Sequence, residues 1–392
     1  MKIKKRFWAL VPVMMISCLL YTACKPYREF ASIPVYKGAV KHDLKPTAYD
    51  KSKKTIVIIA NNEGTEIFDL MAPYYLFNAT EKANVYVVAE KKQPIVLLKG
   101  LFIYPNTTFK ELDSLGIQPD VVVIPAMIKV FADAKSPMIT WIKDKSRNNS
   151  KILSVCAGSL VGAATGLYDG KPLTTHASQF EESKAFFKNP HWIQNVSVTK
   201  TDNLYSTAGV SNAVEGSLTI INETFGKETF QKIMRDIHYP QNEIKLEHKS
   251  IEVKTSHKFT IANKLIFRKN KKVGVLLQEG CNEMMLAAVI DTYHRTFPSS
   301  LETIAANGLP VTSKYGLTII PTSTLKEKEL DELHILSPDK LSDADNEMFK
   351  GIPVIKYNQT ENQYIINKCL QRIKEQYGHK FENITKLLLD YN

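Results

Sequence analysis

The 392-residue chain is 44% hydrophobic and 23% charged, an ordinary globular balance with apolar material for more than one core, so two domains are the expectation. Five cysteines are too few for a disulfide scaffold. The formal charge of +11 would suit an anionic membrane, an acidic substrate or nucleic acid, but the surplus is scattered lysine. Small clusters stand at Lys51 to Lys54 and Arg268 to Lys272, with no arginine-rich or aromatic-interleaved stripe, which reads as a solvated face and sets nucleic acid aside.

Lys2, Lys4, Lys5 and Arg6 precede an apolar run from Phe7 to Ala23, the pattern of an export signal. Leu20-Tyr21-Thr22-Ala23-Cys24 resembles a bacterial lipoprotein cleavage box and marks Cys24 for lipidation, although Tyr21 stands where that pattern usually has leucine. The run is also just long enough for an uncleaved anchor. Both readings place the body at a membrane, outside the cytoplasm. Residues 25–52 are polar and proline-bearing, as expected of a tether.

Thr55 to Ala60 is a continuous β-branched run bounded by Asn61, Asn62 and Gly64, a strand buried on both faces. A helix is predicted from about Glu66 to Ala79. Further buried strands are predicted at 84–89, 120–124 and 151–155, with helices at 138–145, 179–187, 211–224 and 227–237. Alternation of this kind implies a parallel sheet sandwiched by helices over residues 53–240. The polar stretch 241–271 reads as a linker, and a new strand begins near Val273.

Residues 272–392 repeat the first unit. Gly64 and Gly280, Gly100 and Gly316, and Pro105 and Pro321 are each separated by 216 positions. Phe225-Gly226-Lys227-Glu228 matches Tyr377-Gly378-His379-Lys380 at a separation of only 152. The expected second copy is therefore degenerate, shortened by 64 residues where the first carries Cys156.

Lys151 to Val155 forms a short strand, Cys156 follows, and Ala157-Gly158-Ser159 opens a small-residue helix that Gly166 ends. A nucleophile on such an elbow needs small neighbours, because its backbone is strained and the helix passes close to the strand. The N–H groups of Ala157 and Gly158 would hold an oxyanion, and the helix terminus would favour a thiolate at neutral pH. No metal cluster is expected, since the nine histidines form no pair with ligand spacing, and no cofactor is called for.

Ser154-Val155-Cys156-Ala157-Gly158, Ala164-Thr165-Gly166-Leu167-Tyr168-Asp169-Gly170 and Thr174-Thr175-His176 together resemble the ThiJ/PfpI family of class I glutamine-amidotransferase-like, flavodoxin-like proteins. Gly64 to Pro73 resembles its isonitrile hydratase and amidase-like regulator branch. The resemblance implies Cys156 as nucleophile with an acidic partner, Asp69 as in the hydratase branch or Glu66 as in others. His176, 20 residues after Cys156, matches the site histidine of part of the family. Ala157 departs from the hydroxyl residue common in the hydratase branch. Ser178 replaces the carboxylate that glutaminases need.

The expectation is a cysteine-dependent hydrolase or hydratase acting on a small molecule, with a non-catalytic ligand-binding or redox-sensing protein as the alternative. Because domains of this family pair, the two copies are expected to pair within the chain, or the chain to form a homodimer. Glu279, Asn282 and Glu283 are the second-unit residues expected to approach the site.

Overall fold

The computed structural model describes residues 25–40 and 48–392, apart from 99, 129, 133–134, 306, 324–328, 337–346, 348 and 358–361. The export segment with Cys24, and residues 41–47 of the expected tether, lie outside the described residues. No described helix is long and apolar enough to cross a membrane.

The first unit runs β1 (Lys54–Ala60), α1 (Ile67–Asn78), β2 (Ala83–Ala89), β3 (Val121–Ile124), β4 (Lys151–Ser154), α2 (Gly158–Ala164), β5 (Val198–Thr201), β6 (Leu204–Thr207), α3 (Ala213–Phe225) and α4 (Lys227–Asp236). Its sheet has the order β5-β6-β4-β3-β1-β2, with a two-residue strand at Thr107–Thr108 beyond β2. All pairs are parallel except the β5–β6 hairpin. The β-branched runs sit at its centre because helices cover both faces, so every residue of β1 after Lys54 is buried. This is the flavodoxin-like α/β arrangement expected.

The stretch read as a linker is partly ordered: α5 (Thr255–Phe267) occupies its second half. There follow β7 (Lys272–Leu277), α6 (Glu283–His294), β8 (Ser300–Ala305), β9 (Glu332–Ile335), β10 (Val354–Lys356), α7 (Ile365–Tyr377) and α8 (His379–Leu389). The four strands are parallel in the order β8-β7-β9-β10, the same order as β2-β1-β3-β4. Helix α6 starts and ends 216 residues after α1, and α7 starts and ends 152 after α3. Between them the separation falls to 211 at β9 and 203 at β10. Among the described residues between β10 and α7 there is no counterpart of α2 or of the β5–β6 hairpin.

The units are not beads on a string. Helix α1 is buried from Ile67 to Phe77, which its own sheet cannot achieve alone; its other side lies on α6, and residues of both units form one apolar core. A five-stranded sheet also crosses the boundary, with Ile319 and Ile320 pairing with Ile103 and Phe102. Tyr74 donates from its hydroxyl to the Tyr315 carbonyl at 2.8 Å. The expected tether docks as well, for Phe30 stacks on His294 at 4.7 Å between ring centroids.

Candidate functional site

Cys156 follows β4 with a φ of +54°, a left-handed conformation that costs a non-glycine residue about 1–3 kcal/mol and persists only where its surroundings enforce it. What enforces it is the close passage of α2. A Cβ on Gly158 would lie 2.1 Å from the Ile124 carbonyl oxygen and 2.7 Å from that of Pro125, so only glycine fits there. The Gly158 N–H donates to the Val155 carbonyl at 2.7 Å, closing the turn instead of standing free for an oxyanion. Ala157 N–H is directed at the thiol.

Glu66 and Asp69 both reach this turn, at the entry to α1. Glu66 is the N-cap, its carboxylate accepting from the Asp69 N–H at 2.7 Å, as a capping acid should. Asp69 is fully buried; Oδ2 accepts from the Ala126 N–H at 3.0 Å, while Oδ1 has no hydrogen-bond partner. Burial, and then the charge of Asp291, raise the pKa of each well above the usual carboxylate range; Asp69 adds to the rise at Glu66.

The thiol is raised too. Burial first, then the Asp69 and Glu66 carboxylates, push Cys156 well above the ordinary thiol range, against the Ala157 N–H. The expected neutral-pH thiolate is therefore corrected. Helix α2 has only 7 residues, and its terminal field does not outweigh burial beside two acids.

His176 is buried, and its hydrogen bonds go to groups other than the thiol. Its Nδ1 accepts from the Ser178 N–H at 3.1 Å and meets the Ser178 hydroxyl at 2.9 Å, and the ring also bonds the Leu388 backbone. Burial lowers its pKa, leaving a neutral imidazole with both nitrogens engaged.

The remaining wall comes from the second unit, through residues that sequence reasoning missed. Arg295, just past α6, donates Nε–H to the Leu388 carbonyl at 2.8 Å and pairs with the Asp291 carboxylate; Glu66 and the thiol lie within its field. Asp390, after α8, accepts from the Ala177 N–H through Oδ2 and meets His248 Nε2 through Oδ1, both at 2.9 Å, and its carbonyl accepts from the Ser211 hydroxyl. No local motif marks these residues, because each reaches the site across the whole chain. The residues expected to approach serve their own unit instead: Glu283 binds Ser313 and the Tyr315 N–H, Glu279 accepts from the Thr312 N–H, and Asn282 caps α6. No group of metal-binding side chains occurs among the described residues.

The pattern of the DJ-1/PfpI family matches residues 53–223. Isonitrile hydratase of Pseudomonas putida is 27% identical over 174 residues, covering 44% of this chain and 72% of the relative. Protein dj-1beta of Drosophila melanogaster is 27% identical over 188 residues, covering 47% and 97%. Among solved structures, Drosophila melanogaster DJ-1beta aligns with a TM-score of 0.41 at 24% identity, covering 46% of this chain and 96% of that one. A ThiJ/PfpI family protein from Pseudomonas syringae aligns with 0.43 at 23% identity, covering 51% and 83%.

Proposed function

From a chain that carries a DJ-1/PfpI family domain over residues 53–223, we propose an exported, membrane-tethered enzyme in which Cys156 adds to a small electrophilic carbon that water then hydrates or hydrolyses. The observation that carries this reading is the strained Cys156 turn set beside the buried Asp69 carboxylate and the half-buried Glu66 carboxylate. Two such acids side by side resist ionising together, so one holds a proton while the other is a base. That offers an acid and a base to one thiol.

With an isonitrile, the substrate class in the name of the Pseudomonas putida relative, the steps balance. The ionised carboxylate takes the thiol proton as sulfur bonds to the terminal carbon, and the protonated carboxyl delivers its proton to that carbon, giving a thioimidate. Water then adds to the carbon, nitrogen gains a proton, and the C–S bond breaks to release a formamide and restore the thiol. The missing hydroxyl at Ala157 leaves positioning of that water to the carboxylates. Redox sensing is the less supported alternative, because oxidation follows thiolate character and burial beside the two acids raises the Cys156 pKa.

The second unit, in this reading, is a truncated copy of the first that serves as its built-in partner; the shared strand order and the constant separation of α1 from α6 support it. Tethering rests on the N-terminal sequence, and Cys24→Ser should release the chain from the membrane fraction. The central test is turnover of a small alkyl isonitrile, followed by formamide formation. Activity should vanish in Cys156→Ala and fall at acid pH as the base carboxylate protonates. Equal turnover by Cys156→Ala, or none with isonitriles, amides and thioesters alike, would remove the enzymatic reading.

A further inference from the structure

The two units are related so that each end of α1 meets the opposite end of α6. Glu66 and Asn282, the N-caps of the two helices, are 216 positions apart, as are Asp291 and Tyr75, and Arg295 and Ala79. Asp390 and His238, each just past its final helix, are separated by 152 and share a left-handed backbone, with φ of +50° and +51°. The cysteine site is walled by Glu66, Asp291, Arg295 and Asp390. The positions matched to these four, Asn282, Tyr75, Ala79 and His238, all line a cavity of about 470 Å³ on the other side of the α1–α6 contact. Only eight residues, 357–364, separate β10 from α7, too few for counterparts of α2 and the β5–β6 hairpin.

Its chemistry is inverted. The cysteine site gathers carboxylates, whereas the cavity is lined by Lys232, Arg235, Lys314 and Lys368 against Glu81 and Asp236. Lys232 sits 3.7 Å from Glu81, and Arg235 and Lys314 are exposed cations of the same wall, beside Asp236. Two of the cations rest on aromatic rings. Lys314 Nζ is 5.3 Å from the Tyr75 ring centroid and 5.2 Å from that of Tyr315, and Lys368 Nζ is 5.2 Å from that of Tyr357. Met284, Met285 and Ile365 supply apolar wall. The volume falls in the range of small-molecule sites, which combine an apolar lining with a few convergent polar groups.

We infer that this cavity is a second ligand site, distinct from the cysteine site, for a small organic anion with a planar or apolar body and one carboxylate or phosphate group. Tyr315, Met285 and the edge of Tyr75 take the body; Arg235 and Lys314 take the charge, Arg235 through the bidentate geometry that suits both anions. The two tyrosine rings, 5.5 Å apart, hold the Lys314 ammonium at the cavity wall. The inference does not depend on what reaction Cys156 performs.

The test is calorimetric titration of the full chain with phenyl phosphate and with benzoate, using benzyl alcohol as the neutral control. Saturable binding of at least one anion is expected, weakened by added salt, with the neutral control at least ~10-fold weaker. Lys314→Met and Arg235→Gln replace exposed side chains and should each weaken the anion by roughly 10-fold without altering the thermal midpoint. Cys156→Ala should leave the affinity unchanged. No saturation up to roughly 10 mM, equal binding of benzyl alcohol, or unchanged affinity in both charge variants would overturn the site. Loss of binding in Cys156→Ala would assign the anion to the cysteine site and also overturn it.

Discussion

At the scale of single residues, the thiol and its two acids set each other's protonation. The Cys156 proton is held by burial and by the Asp69 and Glu66 charges, so alkylation by iodoacetamide should be slow at neutral pH. With Cys281 and Cys369 replaced by serine, the apparent pKa should lie above the free-thiol value of about 8.5. Asp69→Asn should lower it and speed alkylation at pH 8. A pKa below that of a free thiol in the parent would show that the thiolate is stabilised after all. The same substitution has a stability consequence. A carboxyl whose folded-state pKa is raised binds its proton more tightly folded than unfolded, so its contribution is present below the unfolded value and lost as pH rises through the folded one. The thermal midpoint of the parent should therefore fall more between pH 5 and pH 8 than that of Asp69→Asn. Parallel curves would mean that Asp69 titrates alike in both states.

At the scale of elements, the turn from β4 into α2 is where one atom decides geometry. Gly158→Ala would drive a Cβ into the Ile124 and Pro125 carbonyls, and these belong to backbone that cannot swing aside. We expect a loss of about 2–4 kcal/mol in denaturant unfolding, with slower Cys156 chemistry from a displaced turn. A change below about 0.5 kcal/mol would mean that the strand and helix separate easily. This part was legible in the sequence because its causes are local: a short apolar strand, a cysteine and an Ala-Gly step within eight residues, Lys151 to Gly158. Glu66 and Asp69 were legible through the resemblance of Gly64 to Pro73 to the family's first helix entry, which left open the choice between them. His176 was placed by spacing alone, and spacing does not say which way a ring turns; Ser178 and Leu388 decided that. The thiolate expectation failed because a helix terminus can be read from sequence, whereas the depth of burial that opposes it depends on what packs above.

At the scale of the whole molecule, what packs above is the second unit. Arg295, Asp291, Leu388 and Asp390 come from residues 291–390 and bear on groups of the first unit. Constant separations in the sequence pointed to a repeat and the family resemblance to pairing, but neither said which residues would touch. Helix α1 gives the energetic reason why the halves should not part. Leu70, Tyr74 and Phe77 are fully or almost fully buried, and burying such side chains is worth about 1.5–3 kcal/mol each. Strand 101–103 would in addition lose its pairing with 318–320, exposing an unpaired edge. Residues 53–240 expressed alone should therefore aggregate or dimerise through α1, and any soluble fraction should lose the protection of Cys156 that the Arg295 and Asp390 elements provide. Sedimentation and alkylation rates of the fragment against the full chain read both effects. A soluble monomer with the parent's alkylation rate would show that the first unit completes its own site and that the second half serves another purpose.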